Sequence, residues 1–122
     1  MSDPQFSLQR GAKARGGGMA MHAHDQAQLT FAASGTVQVH TTEGRWLVPP
    51  QLAVWIPAGV SHRVEVLTDA ELWMVHWQPS AQTAWAPTTL SHRAFALRVT
   101  PLLRSLLDAA FAPDTTDRKS VV

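Results

Sequence analysis

Three histidines and one glutamine are the residues in this sequence best suited to bind a metal ion or a small polar ligand. His22 and His24 are two residues apart, so in an extended segment both side chains point to the same face. Gln28 keeps that parity, and His62 follows later in the stretch PAGVSH. Because imidazole nitrogens bind zinc, nickel, iron and copper, this set predicts a divalent transition metal, whose identity the sequence does not distinguish.

The predicted ligands are all neutral, since Gln28 would bind through its amide carbonyl. A divalent ion in such a site keeps its full charge. We therefore expect it to attract an anionic ligand, such as the carboxylate of a small-molecule effector. The alternative is a metal-free interior, in which the histidines bond to one another and to buried water.

Short alternating segments place these residues inside a β-barrel. Residues 27–99 contain seven or eight strand-like segments separated by turns. His62 shares the parity of Val64 and Val66, which turns its side chain inward. The pattern predicts an all-β fold, a closed or double-sheet barrel whose interior holds side chains or one small ligand.

The length of 122 residues indicates a single domain. After the barrel, leucines recur at helical spacing, Thr100 is a suitable N-cap and Pro101 suits the first helical position. We expect an N-terminal arm or edge strand over residues 1–18, the barrel over 19–99, one C-terminal α-helix over 100–112 and a disordered tail over 113–122.

Four further residues are candidates for ligand binding. Trp46, Trp55 and Trp77 would wall the cavity and stack on a planar or apolar effector. The alternative for the tryptophans is packing between the sheet and the C-terminal helix. His76 shares parity with apolar residues of its strand, so it is either a cavity residue or core filler.

Charge and composition exclude several classes of function. The formal net charge is +1, which gives no reason to expect contact with nucleic acid or with a membrane surface. The basic trio Arg10, Lys13 and Arg15 is interpreted as a solvated face. With no cysteine, disulfides and thiolate metal sites are excluded. No apolar run has membrane-spanning length and no signal pattern opens the chain, so a cytoplasmic location is predicted.

Two sets of residues resemble the two sequence motifs of the cupin superfamily. The first motif corresponds to Gly16, His22, His24, Gln28 and Gly35. The second corresponds to Pro57, Gly59 and His62. The chain departs from these motifs at Gln28 in place of an acid, at Gln51 in place of a glycine and at Val66 in place of an asparagine. The wider stretch GRWLVPPQLAVWIPAGVSHRV, residues 44–64, is similar to the N-terminal effector domain of AraC-type transcriptional regulators.

This resemblance implies a jelly-roll barrel in a cytoplasmic bacterial protein that senses a small molecule and forms a homodimer. We expect a sensing and dimerisation domain that is not an enzyme, carries a metal in the barrel and lacks the helix-turn-helix half that would bind DNA. The alternative is a free-standing metal-dependent cupin enzyme of the oxygenase or isomerase type. No catalytic residue is assigned, because we expect the candidate carboxylates to face outward or to lie in turns. These are Glu43, Glu65 and Glu71.

Overall fold

The computed structural model describes residues 6–18, 20–23, 25–78 and 93–112. Within these residues the chain forms eight β-strands and one α-helix. In chain order they are β1 Phe6–Lys13, β2 Ala27–Ser34, β3 Val37–Thr41, β4 Gly44–Val48, β5 Leu52–Ile56, β6 His62–Val66, β7 Ala70–Trp77, β8 Phe95–Arg98 and α1 Pro101–Phe111.

The strands form two antiparallel sheets that pack face to face. The five-stranded sheet has the order β1-β7-β2-β5-β8, and the three-stranded sheet has the order β4-β3-β6. Valines of the three-stranded sheet and apolar residues of the five-stranded sheet share one buried core between them. The predicted all-β architecture with one C-terminal helix is confirmed.

Strand register explains which side chains enter the barrel. Val37 and Val39 are fully buried, and across the ladder Val39 pairs with Val64. His62 occupies the next inward position on β6, opposite Thr41, and its residue is 1% exposed. Since side chains alternate along a strand, one period-two pattern buries the valines and the histidine together, as the sequence predicted.

A second apolar layer covers the outer face of the five-stranded sheet. Leu107 and Phe111 of α1 pack there with residues of β2, β5 and β7. The ring of Trp73 stacks on that of Phe111, with centroids 4.8 Å apart, and Arg10 Nη1 donates to the Phe111 carbonyl at 3.0 Å. At the other end of α1, Thr100 Oγ1 accepts from Leu103 N at 3.1 Å, which confirms the predicted N-cap.

A glycine segment carries the chain from the edge of one sheet to the edge of the other. After β1, Gly16 N donates to Val66 O at 2.9 Å, and Val66 N donates to Gly17 O at 3.0 Å. A Cβ on Gly18 would lie 2.6 Å from Val64 O, so only glycine permits this approach. The crossing delivers the chain to His22, beside β6.

The predicted disordered tail over residues 113–122 lies outside the described residues. In the part of the chain that the structure describes, no helix is long and apolar enough to cross a membrane.

Candidate functional site

A cavity of about 410 Å³ lies at the end of the barrel where β1, β2, β6 and β7 meet. Its volume falls in the range of small-molecule binding sites. Seven of its nine lining residues have polar side chains, and the two apolar side chains come from β7. It is lined by Gln9, Lys13, His22, Gln26, Gln28, His62, Leu72, Met74 and His76.

The backbone holds His22 and His62 side by side. His22 N donates to His62 O at 2.9 Å, and His62 N donates to His22 O at 2.7 Å. The two imidazole rings lie with their centroids 4.5 Å apart. The structure therefore brings His22 and His62 together, although 40 positions separate them in the chain.

Backbone carbonyls also set which ring nitrogen faces a ligand. His22 Nδ1 lies 3.0 Å from Ala20 O, and His62 Nδ1 lies 2.9 Å from Val60 O. A carbonyl only accepts, so in each ring Nδ1 carries the hydrogen and Nε2 carries the lone pair when the ring is neutral. Histidines that bind metals are oriented by this kind of second hydrogen bond. The donor set of these two residues fits a metal ligand pair.

Gln28 and His76 form a buried polar chain on the neighbouring wall. They are cross-strand partners on β2 and β7, and His76 Nε2 donates to Gln28 Oε1 at 3.0 Å. The Gln28 amide donates to Thr30 Oγ1 at 2.6 Å and approaches Met74 Sδ at 3.7 Å. Gln28 is 2% exposed and His76 8%. The structure thus places His76 in the cavity wall and gives Gln28 a role in orienting it.

The four predicted metal ligands are brought together only in part. His22, Gln28 and His62 line one cavity, and His24 lies outside the described residues. Among the described residues, no group of three histidine, cysteine, aspartate or glutamate side chains is arranged to hold a metal ion. The four-ligand site of His22, His24, Gln28 and His62 stays a prediction.

The interpretation of the tryptophans as cavity walls needs correction. Trp55 pairs with Leu29, and Trp77 pairs with Ala27, on the outer face of the five-stranded sheet, where both pack in the cluster that contains α1. Their rings lie 5.5 Å apart. Trp46 faces inward but packs against the valine core. Strand parity decides the matter, because Trp77 and the cavity residue His76 are neighbours on opposite faces.

Sequence reasoning missed the contribution of β1. Lys13, which we interpreted as part of a solvated basic face, is exposed as expected but also lines the cavity together with Gln9. These residues alternate with Arg10 on the strand and pair with Ala70 and Met74 of β7. The alternation along β1 was visible in the sequence, but its pairing with a strand about sixty residues away was not.

The charge of the cavity wall is positive. Lys13 is its one charged residue among those described, and no described lining residue is acidic. Glu65 bonds to His40 on the outer face of the three-stranded sheet, at 2.9 Å. Glu71 accepts a hydrogen bond from Trp73 Nε1 at 2.7 Å on the helix side of β7. The outward reading of these two carboxylates is confirmed.

Comparison with known proteins gives matches in sequence and in fold. The family described as the AraC-like ligand binding domain matches residues 10–116. The HTH-type transcriptional regulator NimR of Escherichia coli (strain K12) is 39% identical over 98 residues, covering 80% of this chain and 34% of that protein. The chain thus spans about a third of the length of this relative.

Solved structures show the same architecture. The crystal structure of unsaturated fatty acid bound ToxT from Vibrio cholerae superposes with a TM-score of 0.73 and 7% identity, covering 96% of this chain and 50% of that one. An RmlC-like cupin from Shewanella frigidimarina has a TM-score of 0.57 and 16% identity, covering 60% of this chain and 66% of that one. At these identities the likeness shows the fold alone, which is that of a cupin.

Proposed function

Because the chain belongs to the family of AraC-like ligand-binding domains, we propose that it is the effector-sensing part of an AraC-type transcriptional regulator that acts in the cytoplasm. The observation that carries this proposal is the cavity of about 410 Å³, in which polar side chains from four strands and the segment before β2 converge. The relative NimR is a regulator, which favours a sensor over the free-standing metal enzyme that the sequence left open.

The proposed site includes a divalent transition metal held by His22, His24 and His62, with Gln28 as a further ligand. The Nδ1 hydrogen bonds to Ala20 and Val60 support this, because they direct Nε2 of His22 and His62 toward ligand binding. The Gln28 carbonyl has two lone pairs and accepts one hydrogen bond from His76, so it retains capacity for an ion. When bound, the metal would act as a Lewis acid toward an oxygen of the effector.

The proposed regulator is a homodimer that associates through α1. The helix buries Leu107 and Phe111 against the sheet, whereas Leu102 is 70% exposed and Leu106 58% exposed. Leu102 and Leu106 are four residues apart and so lie on one face of the helix. A second copy of the same helix would cover this face in a two-fold arrangement.

A thermal-shift screen of small polar metabolites against the purified chain tests the sensing function. A ligand present at about 100 times its Kd stabilises the folded state by about 2.7 kcal/mol, which raises the melting temperature measurably. Met74→Trp places a bulky indole in the cavity and should weaken the shift strongly, while Leu47→Trp, at a position on β4 that is 55% exposed, should retain it. Compounds that stabilise both variants equally would show that binding occurs elsewhere, and the proposal would fail.

A further inference from the structure

We propose that Lys13 selects the effector by its charge, and that the effector is a small organic monocarboxylate with an apolar body. This inference rests on the proposed sensing function and deepens it. In this arrangement the ammonium group of Lys13 binds the carboxylate at the cavity mouth, and the apolar body lies against Leu72 and Met74.

The register of β1 places Lys13 on the cavity side. Lys13 pairs with Ala70, Gly11 with Leu72 and Gln9 with Met74, so all three residues of β1 share the inner face. A Cβ added to Gly11 would meet nothing within 4 Å. The missing side chain at Gly11 therefore leaves open space along the wall between Gln9 and Lys13, and nothing at that position separates the lysine from the two apolar residues of β7.

Lys13 stands at the boundary between the cavity and solvent. It lines the inner cavity of about 410 Å³ and also an outer groove of about 500 Å³ next to it. An effector entering from the groove would meet its ammonium group first. This position suits recognition of a charged head group, since the head can keep some water while the body enters the barrel.

The neighbouring carboxylates of the outer groove accept hydrogen bonds from residues other than Lys13. Asp69 Oδ1 accepts from Arg15 N at 2.7 Å, and Glu71 Oε2 accepts from Trp73 Nε1 at 2.7 Å. Among the described residues, Lys13 takes part in none of the ion pairs, which join Arg10 to Glu71, His40 to Glu65 and Arg104 to Asp108. Lys13 is also exposed, so its ammonium group can reach an entering effector.

The rest of the wall defines the class of anion. Gln9, Gln26 and Gln28 add neutral amides, and the two apolar side chains come from β7. One fixed cation balances one negative charge, whereas a doubly charged phosphate would enter with a charge that this wall does not match. A carboxylate with an apolar body fits both parts of the wall.

The lysine content of the chain allows a direct test. Lys13 and Lys119 are its two lysines, so reductive methylation with 13C-formaldehyde labels two side chains for NMR, and Lys13→Arg identifies the Lys13 signal. Met74 can be labelled at its methyl group as a reporter of the apolar wall. The probes are hexanoate and benzoate, each compared with its uncharged amide, in the presence of a chelator so that no metal contributes.

We expect the two carboxylates to shift the Lys13 and Met74 signals in a saturable way. Lys13→Gln should weaken carboxylate binding about tenfold, as expected for loss of a hydrogen bond to a charged group, while Lys13→Arg retains most of it. Arg15→Gln is the matched control, because it removes a positive charge near the same arm without altering the cavity lining.

Three results would overturn the inference. In the first, the acid and its amide bind with equal affinity, the Met74 signal shifts and the Lys13 signal does not. The cavity would then bind ligands without selecting their charge, and the sensing function would survive. Loss of carboxylate binding in His62→Ala but not in Lys13→Gln would assign the anion to the histidines. If no carboxylate shifts Met74, the effector class is wrong, and the thermal-shift screen decides the sensing function separately.

Discussion

Replacing Gln28 with glutamate separates two roles of this buried amide, as a neutral metal ligand and as the residue that orients His76. In the wild-type chain Gln28 Oε1 accepts from His76 Nε2 at 3.0 Å, and Gln28 Nε2 donates to Thr30 Oγ1 at 2.6 Å. Glutamate has nearly the same shape but no N–H to donate. The Thr30 hydroxyl must then turn to become a donor, and Met74 Sδ faces a carboxylate oxygen instead of an amide hydrogen.

The magnitude follows from burial. Gln28 is 2% exposed, so an ionised carboxylate there loses almost all of its water. Desolvation of such an ion costs several kcal/mol, and a hydrogen bond to a charged group returns about 1.5–3 kcal/mol. We expect Gln28→Glu to lower the free energy of unfolding of the metal-free chain by about 2–3 kcal/mol. With a divalent ion bound, Gln28→Glu should stabilise the chain, because the ion places positive charge beside the carboxylate. For the same reason the zinc affinity should rise about tenfold or more.

Urea unfolding with chelator and with excess zinc measures the first effect, and competition with a chromophoric chelator measures the second. Gln51→Glu is the control, since it adds a carboxylate at an exposed position and should change neither quantity. If the free energy of unfolding of metal-free Gln28→Glu equals that of wild type, a carboxylate at position 28 has no desolvation cost and the argument from burial is refuted. If its zinc affinity is unchanged, residue 28 does not contact the ion.

Three further predictions concern α1 and its support. Trp73→Ala removes the ring that stacks on Phe111 and should lower the free energy of unfolding in urea by about 2–3 kcal/mol, less than is usual for a fully buried tryptophan. A loss under about 0.5 kcal/mol would show that the helix does not depend on this contact. Thr100→Ala removes the N-cap acceptor of Leu103 N and should cost about 1 kcal/mol, whereas Thr100→Asn should restore most of it. Leu106→Glu should abolish the proposed dimer, so that light scattering gives the mass of a monomer. A variant that is still dimeric would place the interface elsewhere.

The barrel was predictable from sequence because its signal is local. Val37 and Val39 alternate with polar residues, and so do Val64 and Val66, which fixes the inward face of β3 and β6 within each strand. The helix had equally local signals in Thr100 and Pro101. The inward position of His62 followed from the same alternation, without knowledge of its partner strand.

The lining of the cavity was less predictable because it depends on pairing between distant segments. Lys13 enters the wall through the ladder of β1 with β7, which joins residues about sixty positions apart. Trp55 carries an apolar ring that suits either face of its strand, and only the position of α1 shows that the outer face is also buried. A strand that is buried on both faces loses the simple alternation of polar and apolar residues, so parity alone does not assign its side chains.

Strand β7 connects the cavity to the helix through its two faces. Met74 and His76 line the cavity, and Trp73, the residue before Met74, stacks on Phe111 of α1. On the adjacent strand β1, Arg10 follows the cavity residue Gln9 in the sequence. The Arg10 side chain donates a hydrogen bond to the Phe111 carbonyl of α1. Since consecutive side chains of a strand share one rigid backbone, a ligand that shifts β1 or β7 from the inside also moves the contacts that hold the end of α1. In the proposed sensor, these two strands would couple the cavity directly to the helix.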